Sequence, residues 1–348
     1  MKKSTYNSLR IIMAIVALVC FLIFPPWSIV WAWLQPLPDS VQEQVDGATE
    51  HGLDGIIVYI DQEGHNPEMY AAGWKDRENK TSLSPDDLFR IASISKLYIA
   101  AAVVKLVEDD SLSLERTLAE YLPELRNRIE NADEISLRMM IQHRSGIPNF
   151  TDSPNLDWGK TYENPDDHLK LVLDEPATFK PGSKYGYSNT NYLLLAKIMD
   201  KKLGYSHHLF IKNEIFIPLE LQNTFYWYKE VDNPERLANG YVIEYDGNDV
   251  RELDHITPGG NMVATAEDVG IFLRAMIDGD LFTEKEREIY TSVYPYNHTG
   301  LVPGYQSWAT YSPEQNAVVV QFVTTSGGYS WEISNIIHGR IFDILENR

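Results

Sequence analysis

Strand-like segments lie at both ends of this chain and are nearly absent between them, and that distribution leaves few architectures open. Residues 55–61 (GIIVYID) and 68–74 (EMYAAGW) read as two strands joined by a polar turn with Gly64, Asn66 and Pro67. Far downstream, residues 305–312 (YQSWATYS) and 316–325 (NAVVVQFVTT) read as a second pair around Pro313, Glu314 and Gln315. Helical patterns cover Asp39 to about Glu50 and residues 330–346. Residues 91–285 are mostly helical with long loops. An edge-rich pair at each end must find partners, so the two ends are expected to share one antiparallel sheet. The expected class is α/β (α+β), with helices flanking the sheet and a helical region inserted. The α/β part covers about 39–90 and 286–348, and the helical part about 91–285. No internal repeat is present.

The first 34 residues stand apart. They carry Lys2, Lys3 and Arg10 and no acid, and residues 11–24 (IIMAIVALVCFLIF) carry no charge. A basic tip before an apolar run is an export signal, with the positive end retained inside. Two readings follow, a signal anchor or a signal peptide cleaved near Ala32. As an anchor, residues 11–34 would form roughly 36 Å of continuous helix against a hydrocarbon core of about 30 Å. Trp27, Trp31 and Trp33 would then sit at the outer interface, where indoles prefer to be. The expected location is the cell membrane, spanned once through residues 11–34 with domain 35–348 outside, or a secreted or periplasmic form after cleavage.

Charge narrows the partners. The chain of 348 residues has a net charge of −20, and its cationic N-terminus leaves the remainder more acidic still. Such a surface repels phosphate backbones, which argues against nucleic acid. The single cysteine, Cys20, lies in the apolar run, so residues 35–348 offer no disulfide and no thiol chemistry.

Three segments carry chemistry. The first is Ser93-Ile-Ser-Lys96, set in the apolar stretch that runs on to LYIAAAVVKLV. On a helix, residues three apart share a face, so Ser93 and Lys96 point the same way. A buried lysine loses its preference for the charged form and can take a serine proton. The motif alone is expected about once by chance in a chain this long, so its setting matters more than its letters. The second is the turn Pro181-Gly182 leading through Tyr187-Ser188-Asn189 into an apolar helix. Tyr187 can share a proton with Ser93, its pKa depressed by Lys96, and Asn189 can donate to a substrate carbonyl. A second Tyr-x-Asn at Tyr162 sits in a Pro/Asp-rich loop and is set aside. The third is His298-Thr299-Gly300, just before the penultimate strand, with His298 a polar, cation-capable group at the sheet edge. Gly300 admits a ligand close to the backbone, and an N–H just after it can pair with that of Ser93 as an oxyanion hole. The remaining histidines, including His143, His168, His207, His208, His255 and His338, show no zinc-type spacing. No metal or cofactor is expected.

In order, these segments resemble the serine β-lactamase and penicillin-binding protein superfamily, and most closely its class C β-lactamase-related group: D-alanyl-D-alanine carboxypeptidases, D-aminopeptidases and class C-like esterases. LRMMIQHRSGIPNF (137–150), FKPGSKYGYSNTNYLLLAKIM (179–199) and TPGGNMVATAEDVGIFLRAMIDG (257–279) extend the resemblance over residues 40–345. It implies a β-lactamase/transpeptidase-like fold. It implies that Ser93 is acylated, with Lys96 and Tyr187 catalytic, and that Asn189, His298, Thr299 and Gly300 bind substrate. It places the backbone N–H groups of Ser93 and Leu301 in the oxyanion hole.

One departure narrows the function. The family's third motif begins with lysine, which helps hold a substrate carboxylate, and here His298 stands in its place. The expected function is an exported serine hydrolase acting on an ester, a D-amino-acid peptide or a cell-wall-related amide. The alternatives are a class C-type β-lactamase and, from another class, a non-catalytic penicillin-binding-like sensor or wall-binding protein.

Overall fold

The computed structural model describes residues 3–160, 162, 164–245, 248–253, 257–279 and 281–348. His255 lies outside them. Six strands form the main sheet: β1 (Gly55–Gln62), β2 (Glu68–Asp76), β3 (Thr81–Ser82), β4 (His298–Val302), β5 (Tyr305–Ser312) and β6 (Ala317–Val323). Their order is β3-β2-β1-β6-β5-β4, antiparallel throughout. The two chain ends meet at the β1–β6 pair, where Val58 lies opposite Gln321. The expected antiparallel sheet from both ends is therefore present.

Both faces of the sheet are covered, and the period-2 alternation of the strands assigns side chains to each. Ile56, Val58, Ile60, Val319 and Val323 face one layer. That layer consists of the Val41–Ala48 helix and the closing Ser330–Glu346 helix, through Val45, Ile337 and Ile341. Ile57, Tyr59, Val318, Val320 and Phe322 face the inserted helical region. Each fully buried aliphatic there stabilises the fold by about 1.5–3 kcal/mol. At the centre of that region runs the Ser95–Glu108 helix, SKLYIAAAVVKLVE. It is apolar on every side because it is enclosed on every side: Leu97 through Val104 are all fully buried. Two small sheets lie outside the main one. One joins Phe89–Arg90, Val263–Ala264 and Thr224–Phe225; the other joins Thr325–Ser326 to Tyr241–Val242.

The N-terminal run is not one continuous helix. Helices Lys3–Ile23 and Trp27–Leu34 are separated at Pro25-Pro26, and the apolar pair Leu9–Ile23 and Trp27–Leu34 is bent by 73°. Two prolines remove two backbone donors and their rings obstruct the preceding turn, so a straight 24-residue span does not form. Among the described residues no single helix is long and apolar enough to cross a membrane. The second helix instead packs on the domain through Ile29 and Ala32. Arg340 of the closing helix ties down the chain behind it, donating to the carbonyls of Gln35 and Pro36.

Candidate active site

Ser93 sits in a 3-10 turn, Ala92–Ile94, that leads into the Ser95–Glu108 helix. Ala92 is held at φ 50°, a left-handed conformation that costs an alanine of order 1–3 kcal/mol. Its surroundings fix it there. Ser95 Oγ donates to the Ala92 carbonyl at 2.6 Å, and Ile91 N–H donates to the Met262 carbonyl at 3.1 Å. Strand β4 closes on the same turn, and Gly300 is what allows it. A Cβ on Gly300 would stand 2.6 Å from the Ile91 carbonyl oxygen and 2.9 Å from Ala92 Cβ. Leu301, the next residue, lines the cavity beside Ser93.

Lys96, one turn after Ser93, is fully buried. Its Nζ lies 3.1 Å from Ser93 Oγ and 2.5 Å from the carbonyl of Gly259. The rings of Tyr187 and Tyr192 flank it, with centroids 5.3 and 5.4 Å from Nζ. Burial lowers its pKa from 10.5 to about 7. Near neutral pH, Nζ can therefore keep an N–H on Gly259 and turn a lone pair to Ser93.

Tyr187 arrives from the loop before the Asn189–Leu203 helix, and its hydroxyl donates to Ser93 Oγ at 2.9 Å. The structure thus brings Ser93, Lys96 and Tyr187 into one hydrogen-bonded cluster. The phenol differs from the sequence expectation. Its pKa is raised to about 12, burial outweighing the hydrogen bond to Ser93. Burial dominates, and the phenol is not drawn down as the sequence reading expected.

Asn189 also differs. Asn149 Nδ2 lies 3.1 Å from Asp152 Oδ1, a pure acceptor, which fixes the Asn149 amide and makes its Oδ1 an acceptor. Asn189 Nδ2 lies 3.3 Å from that Oδ1 and 3.2 Å from Thr151 Oγ1. Its donor is therefore occupied within the protein. What Asn189 keeps for a substrate is Oδ1, an acceptor suited to an N–H rather than to a carbonyl.

His298 opens strand β4, with Thr299 and Gly300 after it. Its Nδ1 lies 2.5 Å from the Thr299 carbonyl. Burial first, and the charge of Lys96 second, lower its pKa to about 3. The cation-capable group expected here is a neutral imidazole.

His143 was not singled out by spacing, yet it holds Tyr187 in place. Its carbonyl accepts from Gly186 N–H at 2.8 Å and its Nδ1 from Ser188 N–H at 3.2 Å, so it grips the chain on both sides of Tyr187. Its ring lies against the Tyr187 ring, with centroids 4.4 Å apart. Ser145 Oγ donates to Asn191 Oδ1 at 2.6 Å, which turns the Asn191 amide nitrogen toward the same Nδ1. Among the described residues no group of three or more His, Cys, Asp or Glu is placed to hold a metal ion.

The beta-lactamase family model matches residues 39–293. The chain belongs to the serine β-lactamase and penicillin-binding protein superfamily. Within the superfamily, the chain is 26% identical over 337 aligned residues to penicillin-binding protein 4* of Bacillus subtilis (strain 168), covering 90% of this chain and 71% of that protein. It is 23% identical over 326 residues to protein flp of Staphylococcus aureus (strain N315), covering 84% and 65%. Among solved structures, D-amino acid amidase from Ochrobactrum anthropi SV3 superposes with a TM-score of 0.79 at 23% identity, over 88% of this chain and 97% of that one. A class C beta lactamase superposes at 0.71 and 17% identity, over 87% and 97%. These structural likenesses establish the fold. The relatives include hydrolases, and the Ser93 cluster is of the serine hydrolase type.

Proposed function

We propose that this protein is an exported serine hydrolase that forms an acyl-enzyme on Ser93. Its substrate is an ester, a D-amino-acid amide or peptide, or a cell-wall-related amide, rather than a β-lactam. One observation carries the reading: Ser93 Oγ stands 3.1 Å from a lysine whose pKa is drawn to about 7, and 2.9 Å from a tyrosine that stays protonated. That arrangement separates a base from an acid at one nucleophile.

In the proposed reaction, Lys96 takes the Ser93 proton as Oγ attacks the carbonyl carbon. The N–H groups of Ser93 and Leu301 hold the oxyanion. Tyr187 gives its proton to the leaving nitrogen or oxygen as that bond breaks, and the proton on Lys96 restores the phenol. Water then displaces Ser93 by the reverse sequence.

The neutral His298 disfavours substrates held by a free carboxylate, and therefore a β-lactamase. The solved D-amino acid amidase fits the amide reading, as does the Oδ1 acceptor of Asn189. Residues 11–23, uncharged and exposed except at Cys20, support the export reading. The anchor form places the bend at Pro25-Pro26 near the outer membrane face.

The test is turnover by the full chain in detergent of 4-nitrophenyl acetate, D-phenylalaninamide, a D-Ala-D-Ala peptide and nitrocefin, beside Ser93→Ala. Turnover of the ester and the amide with an acyl adduct on Ser93 supports the reading. Nitrocefin turnover alone would replace it with the β-lactamase alternative. Absence of any adduct would leave the non-catalytic binder.

A further inference from the structure

Among the described residues, the two cavities at the Ser93 cluster share no lining residue. The smaller, 60 Å³, is lined by Ser93, Asn189 and Leu301 together with Phe150, Leu156 and Trp158. The larger is a chamber of 530 Å³ that does not touch Ser93. Tyr187 and His298 form its wall nearest the nucleophile, and His143, Tyr185 and Tyr294 continue it. Its size falls within the range of about 300–1,000 Å³ common for small-molecule sites.

Acyl transfer assigns a role to each side. The attacked carbonyl must rest on the oxyanion donors, which belong to Ser93 and Leu301 on the small cavity. The departing group must rest against the acid that protonates it, and Tyr187 faces the chamber. We propose that the chamber is the leaving-group site, that it takes an uncharged, ring-bearing amine or alcohol, and that it seats acceptors of the same kind when the acyl group is passed on. This inference rests on the acyl-transfer reading above.

The walls specify the chemistry. Tyr294 and His298 are stacked at 6.0 Å and 23°, and Tyr185 stands against His143 at 5.9 Å. Among the described residues that line the chamber, none is an acid, a lysine or an arginine. Both imidazoles have a fixed tautomer. A carbonyl can only accept, so the contact with Thr299 puts the hydrogen of His298 on Nδ1 and leaves a lone pair on Nε2. A backbone N–H can only donate, so the contact with Ser188 puts the hydrogen of His143 on Nε2. Among the described residues that N–H is buried without a partner, sealed from the chamber, which meets the His143 ring and not its donor.

An acceptor among aromatic faces matches an N–H or a hydroxyl beside a ring. A carboxylate has no hydrogen for His298 Nε2, and among the described lining residues no acid balances an ammonium. Neither imidazole becomes a cation near neutral pH, because burial and Lys96 lower both pKa values to about 3.

Acceptor competition tests this without depending on how easily a given group departs. The full chain, loaded with acetyl from 4-nitrophenyl acetate, is offered D-phenylalaninamide, D-phenylalanine or D-alaninamide at equal concentrations of free amine. The amine nitrogen forms the new C–N bond, the Ser93 Oγ–C bond breaks, and the amine proton passes by way of Tyr187 to Oγ. D-Phenylalaninamide should capture acetyl at least tenfold better than D-phenylalanine, and at least tenfold better than D-alaninamide. His298→Lys should reverse the first ratio, and Tyr294→Ala should reduce the second below threefold. Equal capture of all three acceptors by the unaltered protein would overturn the assignment. Absence of an acetyl adduct on Ser93 by intact mass would instead remove the acyl-transfer reading and this inference with it.

Discussion

The carbonyl oxygen of Gly259 accepts a hydrogen bond from Lys96 Nζ at 2.5 Å, and this bond orients a buried amine that, among the described residues, has no carboxylate to balance it. Gly259 adopts φ 84°, and a Cβ there would stand 2.9 Å from Tyr192 Cβ and 3.1 Å from Lys96 Cγ. Gly259→Ala should therefore push Lys96 off Ser93. We expect the rate of Ser93 acylation to fall about 100-fold and stability to fall by about 1–3 kcal/mol. Stopped-flow acylation and urea melts of the variant measure the two effects separately. An acylation rate within threefold of the unaltered protein would remove Gly259 from this role.

The pKa of Lys96 sets the pH dependence of acylation. The free amine is the active form, so kcat/KM should rise with pH through a midpoint near 7. The phenol of Tyr187, at about 12, should stay protonated across that range. Lys96→Arg, which stays charged, should lower acylation by about 10²–10⁴ above pH 7 and erase the limb. The same group acts on stability. Between about 7 and 10.5 the unfolded chain binds a proton that the folded chain does not, so stability should rise with pH over that window. Lys96→Met should flatten the rise, as read from urea midpoints at pH 7 and pH 9.

His143 positions Tyr187 and touches neither Ser93 nor the acyl group. His143→Ala should cut kcat for an amide substrate about 100-fold. Labelling of Ser93 by a fluorophosphonate should be nearly unaffected, because departing fluoride needs no proton from Tyr187. Loss of both activities together would mean that His143 merely holds the fold.

The large strands were legible because burial on both faces left runs such as Ile56–Ile60 and Ala317–Val323 rich in β-branched residues. The strand β4 was not, since five residues with a glycine and exposed positions carry no period. Its motif stood out by its glycine and its place before the penultimate strand, and the resemblance gave it a role. The two-residue strands of the smaller sheets are too short to leave a pattern at all. Ser93, Lys96 and Tyr187 were readable because the lysine's reach is local and the tyrosine's turn is marked by Pro181-Gly182. The role of His143 was hidden because it exists only once residues 186–188 fold back onto it. The donor state of Asn189 was hidden for the same reason, being fixed by Asn149, Thr151 and Asp152.

Acid sensitivity can be traced to a histidine outside the catalytic cluster. His338 lies on the closing helix, on the sheet face opposite the inserted region, with Nε2 2.9 Å from Thr310 Oγ1 and its ring 6.1 Å from that of Trp308. Its Nδ1 is buried without a partner, and burial lowers its pKa to about 3. The folded chain therefore keeps His338 neutral where the unfolded chain, titrating near 6.5, becomes charged. This contribution is complete above pH 6.5 and is lost progressively as pH falls toward 3. Urea midpoints should drop between pH 7 and pH 5, and His338→Gln, which retains a polar contact to Thr310 without a titrating ring, should lessen the drop. Since the residue lies outside the catalytic cluster and both cavities, ester turnover at pH 7 should match the unaltered protein. An identical pH dependence in the two proteins would assign the acid loss to His143 and His298 instead, whose pKa values are lowered in the same direction.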